Sequence, residues 1–140
     1  MILKVLTVDD STIITTHLDY ILKGMKEVKW IGHAFCIKEA EGLLRDKKPD
    51  VVLLDIKLKE ESGFELLKYI KTNYPDIIVF MLSNIKNSMY YKKSILMGAH
   101  YLIDKSYEFY SIPNFLMAIH SAKNIDQKLN RFNSIASNHP

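Results

Sequence analysis

The sequence predicts an α/β domain built on a doubly wound, five-stranded parallel sheet with helices on both faces. Three observations carry that expectation. Five short apolar runs alternate with five amphipathic segments, the rhythm of consecutive β-α units. The run VVLL at 51–54 is apolar at every position, as strands are when both sheet faces are covered. Gly24, Pro49, Pro75 and Gly98 close the first four amphipathic segments in turn, and each is a residue type that ends a helix. Right-handed crossovers then put helices on both sides of the sheet.

The elements follow in order. Residues 3–8 form a short buried-type strand. Ser11 stands where it can cap the next helix, which runs to about residue 23 and stops at Gly24. A second strand covers 28–35, and a helix over 38–48 ends at Pro49. After the strand at 51–54, Ser62 caps a helix over 64–73, whose Phe64, Leu67 and Ile70 share a face. The fourth strand is 77–82, followed by a helix over 88–97 and a short fifth strand at 101–103. The last helix lies between 107 and 129, with Pro113 in its first turn or after a short turn. Residues 133–140 are polar and read as a frayed tail.

Bulk composition narrows the function classes. The 140 residues fit one domain, and 48% hydrophobic with 25% charged residues is ordinary soluble usage. A net charge of +3 is too mild to mark a nucleic-acid binder, and no basic strip interleaved with aromatics occurs. Cys36 is the single cysteine, which excludes an internal disulfide. His33 precedes it by three residues, and His17, His100, His120 and His139 show no metal-ligand spacing either. The N-terminal apolar run meets Asp9 and Asp10 at once, unlike a signal peptide. The longest apolar run, 77–82, is too short to span a bilayer. The default expectation is a cytoplasmic protein with no membrane contact.

Ligands of open parallel sheets bind beyond the carboxyl ends of the strands. The first strand ends in Asp9 and Asp10, the third in Asp55, the fourth in Ser83, and the fifth in Asp104 and Lys105. Clustered carboxylates repel unless a cation sits among them. Oxygen donors without His or Cys suit Mg²⁺, which keeps room for phosphate oxygens. A carboxylate can also accept a phosphoryl group, whose spread charge a metal, a lysine and a hydroxyl stabilise. Taken singly, each residue has a plainer explanation as a helix-start acid, a turn former or a solvated lysine. The combination, in this order at these strand ends, carries the reading.

The segments VLTVDDS (5–11), VVLLDIKL (51–58), ESGFELL (61–67), VFMLSN (79–84) and GAHYLIDKS (98–106) resemble the response-regulator receiver domain of two-component signalling. The resemblance runs from about residue 3 to about residue 120. It implies a flavodoxin-like strand order 2-1-3-4-5. It implies that Asp55 takes a phosphoryl group from a phosphohistidine, on a sensor histidine kinase or a phosphotransfer protein, or from acetyl phosphate. Asp10 would bind Mg²⁺ directly and Asp9 through water, with Asp55 and the Lys57 main-chain carbonyl completing the ligands. Ser83 would hydrogen-bond a phosphoryl oxygen and move as it arrives, and Lys105 would pair with the group. Gly63 falls where the family often has a glycine. Such a protein is a phosphoacceptor and not an enzyme acting on external substrates. An aspartyl-phosphate hydrolase, the competing enzyme class, tends to show DxD at its nucleophile, where this chain has DIK from Asp55.

Four positions depart from the family pattern. Lys59 and Ser106 stand where proline is frequent, Lys57 puts a second cation beside the site, and Leu102 occupies the usual place of the switch aromatic, with Tyr101 beside it. A cis peptide before Ser106 would cost about 2.5–4 kcal/mol. The family's output face, made of the fourth helix, fifth strand and fifth helix, is aromatic here: Tyr90, Tyr91, Tyr101, Tyr107, Phe109, Tyr110 and Phe115. It is expected to bind an unidentified target protein or a second copy. The receiver is expected over 1–122, with a helical extension and tail over 123–140 too short to be an output domain. The chain alone then contacts no nucleic acid. It is a stand-alone response regulator, a phosphate-transfer intermediate, or the receiver part of a DNA-binding regulator.

Overall fold

The computed structural model describes residues 1–85 and 87–137. Strands β1 (Leu3–Val8), β2 (Val28–Ala34), β3 (Val51–Asp55), β4 (Ile78–Ser83) and β5 (Tyr101–Asp104) alternate with helices α1 (Thr12–Leu22), α2 (Ile37–Lys47), α3 (Gly63–Asn73), α4 (Ser88–Leu96) and α5 (Ile112–Ser137). The strands pair in parallel in the order β2-β1-β3-β4-β5, so the doubly wound sheet is as expected. The chain steps outward from β1 to β2, then returns past β1 to β3. That reversal opens a crevice at the carboxyl ends of β1 and β3.

The period of two along each strand divides the core. Leu6, Val8, Val52, Leu54 and Met81 pack with Leu44, Leu67 and Ile70 on one face. Val5, Leu53, Phe80 and Ile103 pack with Leu18, Ile112 and Leu116 on the other. All five residues of β3 are buried, the burial its apolar run predicts.

Local signals hold in part. The Ser62 side chain accepts from Phe64 N–H and caps α3, and Gly24 and Gly98 adopt φ of +85° and +100° after their helices. Ser11 occupies the N-cap of α1, but its side chain makes no cap bond; its own N–H goes to Asp9 Oδ1 at 2.8 Å. Asn87, not singled out in the sequence, caps α4 at Tyr90 N–H.

Two expectations need correction. β2 stops at Ala34, and it carries a bulge: Val5 pairs with Trp30 and Leu6 with Gly32, leaving Ile31 as the extra residue. The last helix also runs past its expected limit at residue 129. After a short 3₁₀ turn at Phe109–Ser111, α5 continues without a break to Ser137. Polarity suggested fraying, but beyond Pro113 the segment contains no Gly or Pro to stop a helix until Pro140. Residues 138–140 of that tail lie outside the described residues. No described helix is long and apolar enough to cross a membrane.

Candidate functional site

Strand register assembles the site. Val8 pairs with Leu54, Asp55 with Leu82, and Ser83 with Asp104. The residues that follow or end these strands therefore meet at one rim. Asp9, Asp10, Asp55, Lys57, Ser83 and Lys105, every predicted site residue, line a single cavity of about 410 Å³.

At its centre the Lys105 ammonium bridges two carboxylates. Nζ lies 2.7 Å from Asp9 Oδ2 and 2.6 Å from Asp55 Oδ2. Lys105 is aimed there because its N–H bonds the Ser83 carbonyl at 2.9 Å, continuing the β4–β5 ladder. Asp104 accepts from Ser106 and Tyr107 N–H and so fixes the turn behind it. No peptide bond among the described residues is cis, the one before Ser106 included.

The second oxygen of each of these carboxylates is engaged as well. Asp9 Oδ1 accepts from Ser11 N–H, so both Asp9 oxygens have partners within the chain. Asp55 Oδ1 accepts from Lys57 N–H at 3.2 Å. Asp9 and Asp55 are buried, whereas Asp10 is exposed, and oxygens of all three lie within 4.8 Å of one another. An all-carboxylate donor set of this size fits a hard cation such as Mg²⁺. The Ser83 hydroxyl donates to the Ile85 carbonyl at 2.7 Å and accepts from Ile85 N–H at 3.0 Å, so it is turned into its own loop.

Electrostatics follow from burial. Desolvation first, then the Asp9 charge, push the Asp55 pKa up to about 6 against the pull of Lys105. Burial alone would lower Lys105, but its two carboxylates, Asp55 foremost, outweigh that and raise it.

Two contributions escaped sequence reasoning. Gly63 has an ordinary φ, yet a Cβ there would overlap the Asp55 carbonyl oxygen and come within 3.0 Å of Ile56 Cα. Its N–H bonds the Ile56 carbonyl at 2.6 Å, so α3 starts pressed against the chain that carries Asp55. His33 is the second. Trp30 and His33 are three apart and would face opposite ways in a regular strand. The bulge at Ile31 puts both on the Thr7 side. Trp30 Nε1 donates to Thr7 Oγ1 at 2.9 Å, Thr7 Oγ1 lies 2.6 Å from His33 Nδ1, and His33 Nε2 lies 2.9 Å from the Asp9 carbonyl. Burial lowers the His33 pKa. A neutral ring donating from Nε2 completes the chain of bonds and holds the Asp9 main chain. No spacing rule exposes this, because the bulge creates it.

The switch position is occupied as the sequence read. Leu102 is fully buried on the α3–α4 side of the sheet. Tyr101 points to the other side, beside Phe115, and its hydroxyl donates to Glu108 Oε2 at 3.1 Å. Of the aromatic set, Phe109 is buried, Tyr90, Tyr101 and Phe115 are half-buried, and Tyr91, Tyr107 and Tyr110 are exposed.

Comparison with known proteins agrees with this geometry. The profile of the family described as "Response regulator receiver domain" matches residues 5–116. The chain belongs to that family, whose members act in two-component signalling with histidine kinases and are phosphorylated on an aspartate. It is 44% identical over 79 residues to the sensory transduction protein LytT of Bacillus anthracis, covering 56% of this chain and 32% of LytT. It is 29% identical over 119 residues to the transcriptional regulatory protein LnrK of Bacillus subtilis, covering 85% of this chain and 54% of LnrK. The chain thus spans about a third to a half of these relatives. Among solved structures, the response regulator domain of Thermotoga maritima CheB superposes with a TM-score of 0.76 at 29% identity, over 89% of this chain and 98% of that one.

Proposed function

We propose that this protein is a phosphorylation-driven switch in which Asp55 accepts the phosphoryl group in a Mg²⁺-dependent reaction. The observation that carries the reading is the buried Asp55 carboxylate, 2.6 Å from Lys105 Nζ in a crevice it shares with Asp9 and Asp10. An Asp55 oxygen attacks the phosphorus of a phosphohistidine. The P–N bond breaks, its electron pair returns to the imidazole nitrogen, and an acyl phosphate remains on Asp55. Bound Mg²⁺ supplies charge neutralisation for the transferring oxygens. Asp10, exposed, would hold the ion together with Asp55 and the Lys57 carbonyl, with Asp9 beside them in the same cluster. Lys105 turns from the carboxylates to the phosphoryl oxygens, and Ser83 leaves the Ile85 carbonyl to donate to one of them.

That Ser83 movement pulls on the segment leading into α4. The face of α4, β5 and α5, with exposed Met89, Tyr91, Leu96, Tyr107 and Tyr110, is the surface whose binding changes for a target protein or a second copy. With Leu102 buried and Tyr101 held by Glu108, the relay runs through this backbone and not through a ring at position 102. We take the receiver as 1–122 with a helical extension beyond it, working without catalysis on external substrates. A second reading, the receiver part of a longer transcriptional regulator, is favoured by the share of LytT and LnrK that the chain spans. The reading frame beyond codon 140 decides it.

The test is binding of beryllofluoride, a phosphoryl mimic, followed by amide NMR. With Mg²⁺, wild type is expected to shift at Ser83, Lys105 and α4, and Asp55→Asn to show none of these changes. The same shifts in Asp55→Asn would remove Asp55 from its role.

A further inference from the structure

The end of β2 grips the main chain that carries the first two acids. Asp9 N–H donates to the Ala34 carbonyl at 3.0 Å, and the Asp9 carbonyl lies 2.9 Å from His33 Nε2. Consecutive residues of one strand thus hold both polar groups of the Asp9 main chain. The His33 bond bears on the site more directly. A peptide unit is planar, so fixing the Asp9 carbonyl fixes the plane from which Asp10 departs. Asp10 is the exposed member of the three carboxylates whose oxygens lie within 4.8 Å of one another.

The bonds behind His33 settle how its ring is held. The Trp30 indole N–H can only donate, and the Asp9 carbonyl can only accept. With Nε2 of the neutral ring donating to Asp9, Nδ1 has to accept. The Thr7 hydroxyl takes the Trp30 proton and gives its own to Nδ1, so donation runs one way from Trp30 through Thr7 and His33 to Asp9. The Gly32 carbonyl, at 3.4 Å, is a longer alternative for the Thr7 proton. Thr7 is 1% exposed, and a buried hydroxyl left without a partner is costly. Packing holds the ring as well: its centroid is 4.6 Å from that of Phe35 and 6.4 Å from the Trp30 ring, both edge-to-face.

We propose that His33 is a positioning residue for the divalent cation. Through the Asp9 carbonyl it sets the direction of Asp10, while Thr7 and Trp30 hold its ring in the tautomer that does so. This rests on the reading that the acids take Mg²⁺. Groups one bond removed from the ligands commonly set metal affinity. The coupling is reciprocal: an ion that tightens Asp10 also tightens the bonds behind it. Trp30, the single tryptophan of the chain, is therefore the natural reporter.

The test is calorimetric titration of the full chain with Mg²⁺, followed in parallel by Trp30 emission. Wild type is expected to bind the ion with an emission change on the same isotherm. His33→Phe keeps a ring between Trp30 and Phe35 but has neither nitrogen; it is expected to bind about tenfold more weakly and to lose the emission change. His33→Gln, whose terminal amide N–H reaches as far as ring Nε2, is expected to restore the affinity. Thr7→Val, of the same shape without the hydroxyl, is expected to bind more weakly than wild type and to lose the emission change. His33→Phe with wild-type affinity, or His33→Gln as weak as His33→Phe, overturns the proposal. If His33→Phe does not fold, Thr7→Val decides: wild-type affinity and emission response in that variant overturn it. A wild type that takes no Mg²⁺ is a different failure, since it removes the reading of the acids themselves and the role of His33 with it.

Discussion

Asp55 ionises against its surroundings. Burial is the largest cause, the Asp9 charge adds to it, and Lys105 offsets only part, which leaves a pKa of about 6. That native value lies above the ordinary 3.8 of the unfolded chain. The folded state therefore binds the extra proton between the two values. This contribution to stability is fully present below 3.8 and is lost as pH rises through about 6. Two pKa units correspond to on the order of 2–3 kcal/mol. Asp55→Asn, which never ionises, is thus expected to gain in Tm over wild type as metal-free protein is taken from about pH 4 to about pH 7. A melting-temperature difference that is constant across that range would show that Asp55 is not held out of its charged form. The acids, Ser83 and Lys105 were legible because strand ends converge in a parallel sheet, so position in the chain gave position in the site. His33 was not legible. Its hold on the Asp9 carbonyl depends on a one-residue bulge, and a pattern of apolar residues does not reveal where a ladder slips.

At the scale of the element, the junction of β3 and α3 is the most tightly built part of the site. Gly63 leaves no room for a methyl group against the Asp55 carbonyl. Gly63→Ala must push α3 away from β3, and overpacking of this kind costs about 1–3 kcal/mol or more. Urea unfolding is expected to show that loss, together with slower phosphorylation, since the displaced chain carries Asp55, the proposed acceptor. A variant as stable as wild type would mean that the junction yields freely. The sequence showed a glycine at this place but not the reason for it, because the clash is with backbone from another element. Helix ends were read more accurately where a backbone feature stops the chain, as at Gly24 and Gly98, than where polarity alone hinted at fraying. Residues 133–137 lie in α5 for that reason. Ser11 illustrates a competing use: its N–H is committed to Asp9, and its side chain caps nothing.

For the whole molecule, the alternation of apolar and amphipathic segments was enough to define the sheet, because each crossover has one allowed hand and each strand two covered faces. The strand order came from the likeness to receiver domains, and the pairing of the strands agrees with it. The two core clusters hold a sheet whose carboxyl edge carries the acids, while α4 and the turn before α5 present exposed aromatic and aliphatic side chains. In the proposed switch, the short segment after Ser83 would link chemistry at that edge to binding on this face. The account stands on Asp55 accepting a phosphoryl group with a divalent cation beside it. Its most direct test is the intact mass of the protein after incubation with acetyl phosphate, with and without Mg²⁺, beside Asp55→Asn. The account predicts one added phosphoryl group in wild type with Mg²⁺, and none without the metal or in the variant. An adduct that persists in Asp55→Asn, or that forms equally well without Mg²⁺, would contradict it.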